Sequence, residues 1–304
     1  MSRDHLPVMV EEVLTHLAPE RGGLFVDCTV GLGGHAEALL ERGPRARLVG
    51  LDRDPRALAA AGQRLRRFAS RVRLVEAPFS RLGEAVEGEA VDGGILADLG
   101  VSSLQLDRAE RGFSLQRDGP LDMRMGEGDL TAAEVVNRYE EDELREVFQR
   151  YGEERMAGRI AHAIAEVRAE RPITTTGQLR DLVVRAKGRP REGRIDAATR
   201  VFQALRIEVN RELEELERLL EEAVRLLSRE GRLVILSYHS LEDRRVKRHL
   251  RDLAQGVKDP VTGRPREETR LLELLTRRAE RPSETEVAAN PRARSARLRA
   301  ARRL

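Results

Sequence analysis

The sequence has one cysteine, no tryptophan, three tyrosines and six phenylalanines in 304 residues. Because Cys28 stands alone, an intramolecular disulfide and a multi-cysteine zinc site are both excluded. No apolar run approaches the roughly 20 residues of a membrane-spanning helix. The start, MSRDHLPVMVEEVL, lacks the apolar core of a secretory signal. These absences predict a soluble, cytoplasmic protein.

Lysine is also scarce, since the 55 basic residues include only Lys187, Lys247 and Lys258. A GC-rich genome or a hot habitat is the simplest explanation for so much arginine. The net charge is only +3, so a nucleic-acid surface would have to be a local patch. Two segments are the predicted phosphate contacts: ANPRARSARLRAARRL (289–304), with six arginines and no acid, and residues 185–194.

Five short apolar runs predict buried strands: 24–28, 46–51, 71–75, 93–99 and 231–238. The first four alternate with helical patterns, the rhythm of βαβ units, which predicts an α/β fold with a parallel sheet covered on both faces.

The βαβ rhythm stops after the fourth strand. A βαβ unit needs about 30 residues, yet the next convincing strand begins 134 positions after Asp98. The surplus is rich in helical periodicity, which predicts an inserted all-helical domain at 106–199. The sheet domain would then comprise 1–105 and 200–304.

The stretch that follows the insert predicts one long amphipathic helix. An apolar stripe runs along it: Phe202, Leu205, Val209, Leu213, Leu216 and Leu220. A second row, Gln203, Arg206 and Asn210, has helical spacing but is polar. Such a row usually faces solvent; the alternative is that it faces a cleft between the two domains.

Polar or aromatic residues follow the end of each predicted strand. Ligands of open α/β sheets bind beyond the carboxyl ends of the strands, so these residues are candidates for one site. They are Asp27 with the glycine loop after it, Asp52, Phe79, Asp98, and Tyr238 with His239.

The glycine loop is compatible with two ligand classes. A G-x-G-x-x-A run begins at Gly31 and Asp52 lies 21 residues later, as in dinucleotide-binding proteins. However, Asp27 and Asp98 would repel a pyrophosphate. Carboxylates beside such a loop favour a cationic ligand with hydroxyls and no phosphate, and S-adenosylmethionine fits that description. An NAD-dependent oxidoreductase remains the alternative.

Several longer blocks make a family resemblance specific. They include HLPVMVEEVL, FVDCTVGLGGHAEALL, DGGILADLGVSSLQLDRAERGFSLQRDGPLDMRM, YGEERMAGRIAHAI, ATRVFQALRIEVNREL and LSYHSLEDRRVK. With these blocks in order from residue 5 onward, the sequence resembles the bacterial 16S ribosomal RNA (cytosine-N4)-methyltransferase family (RsmH, formerly MraW). Tyr238 is a departure, since the family usually has Phe there.

The resemblance implies a class I, Rossmann-like methyltransferase sheet and a specific reaction. S-adenosylmethionine would methylate the exocyclic N4 of a decoding-centre cytidine in 16S rRNA, with the small ribosomal subunit as partner. By position, the resemblance assigns contacts with the methyl donor to seven residues: Gly33, Gly34, His35, Asp52, Phe79, Asp98 and Gln105. The chemistry requires no metal, and none is predicted.

Methyl transfer to an amine is an in-line displacement, in which alignment can contribute about 7–11 kcal/mol. An acceptor for the N4 hydrogens would help further, and Asp98 is the candidate. Tyr238 and His239 are further catalytic candidates. Tyr238 and Phe113 are the candidate base-stacking rings, although ordinary packing is favoured for each.

Three local features have structural alternatives. Ser240-x-x-Asp243 predicts a helix cap immediately after His239. Asp243 with Arg244 forms a buried pair or an RNA contact, and Asp122 with Arg124 forms a hinge or, by preference, a salt bridge between domains. A non-enzymatic RNA-binding protein on a degenerate methyltransferase fold is the third functional alternative. It is disfavoured because every expected donor-pocket position is filled.

Overall fold

The computed structural model describes residues 7–100, 108–126, 128–188, 196–257, 259–260, 262–264 and 266–304. The chain divides into two compact units. We call Met1–Gly100 with Glu214–Leu304 the sheet unit, and Val101–Leu213 the helical unit. Among the described residues, no helix is both long and apolar enough to cross a membrane.

The sheet unit contains one seven-stranded sheet. Its strands are β1 (Gly23–Asp27), β2 (Ala46–Asp52), β3 (Val72–Glu76), β4 (Gly94–Asp98), β5 (Arg232–Ser237), β6 (Leu272–Leu274) and β7 (Arg297–Arg303). Their order is β3-β2-β1-β4-β5-β7-β6, with β1 to β5 parallel and β7 antiparallel to both neighbours. The five predicted strands and the class I, Rossmann-like α/β fold are confirmed; β6 and β7 were not predicted.

Helices cover both faces of this sheet. The helices of the unit are α1 (Val10–Leu17), α2 (Gly34–Arg42), α3 (Pro55–Arg64), α4 (Leu82–Ala85), α11 (Ser240–Gln255) and α12 (Glu284–Ala289), with most of α10 (Glu212–Leu226). Successive strand residues join opposite cores: Ile95 packs with α4, α10 and α11, whereas Leu96 packs with α1, α2 and α3. This double burial explains why the strands are continuous apolar runs.

The arginine-rich segment 289–304 differs from its prediction as a phosphate contact. It supplies β7, in which Leu298, Ala300 and Ala301 are fully buried. Arg297 and Arg299 bind Asp243. Arg302 binds Glu273 and Glu230. All three guanidinium groups are paired with carboxylates and Arg299 is also buried, which corrects the prediction for them.

The helical unit has its own apolar core. Its helices are α5 (Ala132–Arg138), α6 (Glu141–Gly152), α7 (Ala157–Glu170), α8 (Thr176–Lys187) and α9 (Thr199–Asn210). Val201, Phe202 and Leu205 of α9 are buried in this core with Phe148 and Ile160. The unit therefore continues to Leu213 rather than ending at the predicted residue 199.

The predicted single long helix is wrong. Arg211 has a left-handed backbone, φ 48°, and ends α9, after which α10 begins at Glu212. The apolar stripe is divided accordingly, because Leu205 packs in the core of the helical unit and Leu216 in that of the sheet unit. No glycine marks the break, so the sequence contains no local signal for it.

The predicted solvent exposure of the polar row on α9 is also wrong. Gln203 donates to the carbonyl of Tyr151. Arg206 forms a bidentate pair with Glu212. Asn210 is buried and bonds the backbone of the 123–125 segment. All three side chains thus hold the helical unit together.

Two other predicted residues have structural roles in the same unit. Phe113 is buried in the apolar core, so the packing alternative holds for it. Asp122 and Arg124 form a salt bridge at 2.7 Å within the helical unit. Because both partners belong to one unit, the preferred interpretation as a bridge between domains is wrong.

Candidate active site

The loop between β1 and α2 is shaped by its glycines. Gly33 has φ 79°, and a Cβ there would lie 3.4 Å from the backbone of Ala61. A Cβ at Gly34 would lie 3.0 Å from Pro7. The loop is tied down by the Gly33 amide, which donates to the Val30 carbonyl at 2.7 Å. The left-handed backbone favours glycine at Gly33, and a side chain at Gly34 would require Pro7 to shift.

Asp52, at the end of β2, is fixed against this loop. One carboxylate oxygen accepts from the Gly31 amide at 3.0 Å and the other from the Asp54 amide at 2.9 Å. Desolvation by the surrounding protein raises the pKa of Asp52, and these two backbone bonds partly offset it. Each oxygen can accept a second hydrogen bond, so Asp52 offers two oriented acceptors.

Asp27, at the end of β1, is the most buried acid of this edge, with only 2% of its surface exposed. Its carboxylate accepts from the Thr29 amide at 3.1 Å. Burial raises the pKa of Asp27 to about 6, against the opposing effect of His35. The negative charges of Asp98 and Asp52 raise this pKa further. Among the described residues, no guanidinium forms an ion pair with these three carboxyls, although the charge of Arg53 lowers the pKa of Asp52.

Asp98, at the end of β4, is partly buried and is held on three sides. Its amide donates to the Thr29 hydroxyl at 2.7 Å. The Tyr238 hydroxyl donates to Asp98 Oδ1 at 2.7 Å. His35 Nδ1 lies 3.8 Å from Asp98 Oδ2. The side chain is 24% exposed, and Oδ2 accepts no hydrogen bond from the described residues.

His35 presents an acceptor nitrogen toward Asp98. Its Nε2 lies 2.8 Å from the carbonyl oxygen of Val8, which can only accept, so Nε2 carries a proton. When the ring is neutral, Nδ1 is therefore a lone pair that faces the carboxylate. Two acceptors 3.8 Å apart favour a ligand N–H donor that reaches both.

The remaining predicted donor residues are Phe79 and Gln105. Phe79 follows β3, and its ring centroid lies 5.9 Å from the Arg53 guanidinium carbon. Gln105 lies outside the described residues. The structure thus brings the glycine loop, Asp52, Asp98 and His35 to one edge of the sheet.

Two contributing residues were missed by sequence reasoning. Thr29 bonds both Asp27 and Asp98, and Val8 fixes the ring of His35. The Asp-x-Thr spacing after a strand is a local signal that could have indicated Thr29. Val8 acts through its carbonyl, so its side-chain identity carries no such signal.

The cap of α11 differs by one residue from its prediction. His239, not Ser240, is the N-cap: its side chain accepts from the Glu242 amide, and the Glu242 carboxylate accepts from the His239 amide. Glu242 also accepts from the Tyr238 amide at 2.8 Å. Asp243 pairs with Arg297 and Arg299, which confirms a buried pair but not the predicted neighbour as partner.

Comparison with known proteins identifies the family. The model of the MraW methylase family matches residues 2–304. The chain belongs to this family.

Two curated relatives and one solved structure align with nearly the whole chain. "Ribosomal RNA small subunit methyltransferase H" of Thermobifida fusca is 52% identical, covering 98% of this chain and 93% of the relative. The protein of the same name from Bradyrhizobium diazoefficiens is 48% identical, covering 99% and 92%. A solved rRNA methylase from Streptococcus thermophilus shares 12% identity at a TM-score of 0.47, covering 99% of each chain.

The resemblance predicted from the sequence is thus confirmed for the family and for methyltransferase activity. For a methylase of this family, an edge with three carboxyls and a glycine loop is chemically suited to a methyl donor that carries an ammonium, a sulfonium and a ribose. The geometry of the sheet unit and the family membership point to the same class of ligand.

Proposed function

We propose that the protein transfers a methyl group from S-adenosylmethionine to the exocyclic N4 of a decoding-centre cytidine in 16S rRNA. The observation that carries the proposal is the group of three carboxyls at the edge beside the glycine loop. Because no guanidinium pairs with them in the described structure, they suit a cationic ligand and disfavour a pyrophosphate.

The donor-binding roles follow from the fixed groups. The acceptors of Asp52 bind the ribose hydroxyls. Gly33 and Gly34 allow the donor to approach the backbone. Phe79 packs on the adenine, while Asp98 and His35 bind the ammonium. Gln105 completes this set by resemblance.

Catalysis then rests mainly on alignment of the sulfonium methyl with the amino nitrogen. Asp98 Oδ2 has two lone-pair sites, enough for one N–H of the donor and one of the target amine. Asp98 thereby draws on the N4 hydrogens as the nitrogen becomes tetrahedral. His239 acts through its capping box, which fixes the backbone of Tyr238.

For the RNA partner, the helical unit offers cations that β7 does not. Arg155 and Arg159 are exposed, and neither has a carboxylate partner among the described residues. Beside them, Arg200 donates to the Glu153 carbonyl at 2.9 Å, whereas Lys187 is already paired with Glu154 at 2.6 Å. The proposed phosphate contact is the group of Arg155, Arg159 and Arg200, which we call the junction cluster.

Two experiments test the proposal. S-adenosylhomocysteine should raise the melting temperature and NADH should not; the reverse result would restore the oxidoreductase alternative. Labelled methyl transfer to small subunits lacking the modification, followed by nucleoside analysis, should give N4-methylcytidine. Donor binding without any methyl transfer to subunits or to free 16S rRNA would instead favour a non-enzymatic RNA-binding protein.

A further inference from the structure

We propose that Tyr238 is a positioning residue whose hydroxyl holds Asp98 Oδ1 and stabilises the carboxylate charge, so that Oδ2 binds the methyl donor. The inference rests on the proposed donor site but concerns a residue outside the assigned donor contacts. Its basis is the 2.7 Å bond between the Tyr238 hydroxyl and Asp98 Oδ1.

The phenol is fixed from both ends. Its backbone amide donates to Glu242 in the capping box of α11. The ring passes close to Gly100, where a Cβ would lie 3.3 Å from the ring carbon Cδ2 and where φ is 114°. The ring also packs against the core formed with α1, α2 and α3. The hydroxyl therefore reaches Asp98 from a preset direction, and Asp98 has one oxygen already occupied.

The phenol remains a donor across the working range of pH. Desolvation and the nearby charge of Asp98 raise the pKa of Tyr238 well above its usual value. The group therefore does not ionise near neutrality. A charge-assisted bond of this kind contributes more than a neutral one, and it favours the ionised form of the acid.

The acidity of Asp98 depends on groups from each neighbouring element. Desolvation raises its pKa, and the charge of Glu242 from α11 raises it further. The charge of His35 from α2, present when its ring is protonated, lowers the pKa, as does the hydrogen bond from the Tyr238 hydroxyl. Asp27 from β1 is a second like charge at this edge. Removing the hydroxyl leaves the opposing groups in place, so the pKa of Asp98 moves up.

The test is Tyr238→Phe, which keeps the ring and deletes the hydroxyl. Binding of S-adenosylhomocysteine is measured by calorimetry from pH 5 to pH 9. We expect affinity to fall about threefold to tenfold at pH 8, and the midpoint of the acid-side loss of binding to move up by roughly 0.5–1 pH unit. A merely structural role would lower affinity without moving that midpoint.

Tyr139→Phe is the matched control. Tyr139 also donates to a carboxylate, Glu208, at 2.8 Å, but in the helical unit. Its loss should leave the affinity and the midpoint unchanged. A Tyr238→Phe protein with the affinity and midpoint of the wild type would overturn the inference, and so would a pH-independent fall. Absence of binding in the wild type would instead reject the proposed function itself.

A second variant guards against loss of folding. 3-Fluorotyrosine incorporated at position 238 keeps the ring and the bond, and its more acidic phenol is a stronger donor. We expect the midpoint to move down rather than up. An unchanged or raised midpoint would contradict the role of the hydroxyl even if Tyr238→Phe did not fold.

Discussion

Two clusters of charge lie in the sheet unit, and they differ in how their carboxyl groups are partnered. Asp243 is buried, and its two oxygens accept from Arg299 at 2.7 Å and Arg297 at 2.8 Å. Although burial raises its pKa, these two arginines lower it more, and the net shift is downward. At the edge of the sheet, the hydrogen bonds that Asp27 and Asp52 accept from described residues all come from backbone amides, and the pKa of each is raised.

The difference separates a structural cluster from the proposed ligand site. A carboxylate matched by two guanidinium groups has little capacity left for a ligand, so it holds α11 to β7. Buried carboxyls without a paired guanidinium destabilise the unliganded protein, and a cationic ligand would relieve that cost. Partnering, rather than burial, is the property that distinguishes the two.

The largest expected effect is on stability, through the partnered cluster of Asp243, Arg297 and Arg299. Asp243→Asn leaves Arg299 buried without its counter-charge, and breaking such a pair typically lowers the free energy of unfolding by about 3–5 kcal/mol. Urea denaturation measures this loss. Where the variant is folded, its affinity for S-adenosylhomocysteine should match that of the wild type.

Glu11→Gln is the control for this prediction, because the Glu11–Arg42 pair is exposed. Such pairs contribute about 0–1 kcal/mol. If Asp243→Asn lowered the free energy of unfolding no more than Glu11→Gln, the structural role assigned to the partnered cluster would be wrong.

Removing the charge of Asp27 at the sheet edge should instead raise the free energy of unfolding. The raised pKa of Asp27 means that the folded protein holds a proton on this carboxyl more tightly than the unfolded chain does. Folding stability from this group is therefore present below about pH 4 and is lost as the pH rises through about 6. A shift from 3.8 to about 6 corresponds to at most about 3 kcal/mol.

Asp27→Asn removes this charge and should stabilise the unliganded protein at pH 7 by about 1–3 kcal/mol. The gain should shrink as the pH falls from 6 to 4, which denaturation curves across that range would measure. A variant that is less stable than the wild type at pH 7 would contradict the view that the buried charge of Asp27 destabilises this edge.

A third test concerns ligand affinity rather than stability. Asp52→Asn should weaken binding of S-adenosylhomocysteine about 10- to 100-fold, since hydrogen bonds to a charged group contribute about 1.5–3 kcal/mol. Calorimetry at pH 7.5 measures it. Asp92→Asn is the control, because Asp92 bonds the Leu24 amide at the start of β1, away from the site. Equal effects of the two variants would reject Asp52 as a donor contact.

The smallest expected effect concerns arginines that have no carboxylate partner among the described residues. Replacing both Arg155 and Arg159 by Ala should reduce the salt dependence of 16S rRNA binding, lowering the slope of log K against log salt by about 1–2. Arg138 and Arg150 are exposed in the same unit but pair with Glu134 and Glu146. Their double replacement should change the slope less. A larger change in that control would remove the junction cluster from the RNA interface.

The meeting of three carboxyls at one edge is predictable because the strand ends of a parallel sheet converge by topology. Asp27, Asp52 and Asp98 were identified from strand position alone, before any resemblance was used. The arginine partners of Asp243 were not predicted, because Arg297 and Arg299 lie 54 and 56 positions further along the chain. A basic segment predicts a nucleic-acid contact equally well whether its arginines are free or, like Arg299, buried in a strand.

Local backbone exceptions explain the other misses. Arg211 adopts a left-handed conformation without being glycine or asparagine, so the periodicity of 199–226 predicts one helix where the chain forms two. β6 has only three residues, and no hydrophobic period can be detected in so short a run.

The insertion of the helical unit between β4 and β5 has a consequence for how the chain folds. β4 ends at Asp98 and β5 begins at Arg232, and these two strands are hydrogen-bonded neighbours. Closing so long a connection costs only about 1.3 kcal/mol more than closing a 30-residue crossover. This closure cost decreases once the helical unit is folded, because a shorter length of flexible chain then remains to be closed. We therefore expect the helices to form their own core first, with the second half of the sheet assembling afterwards.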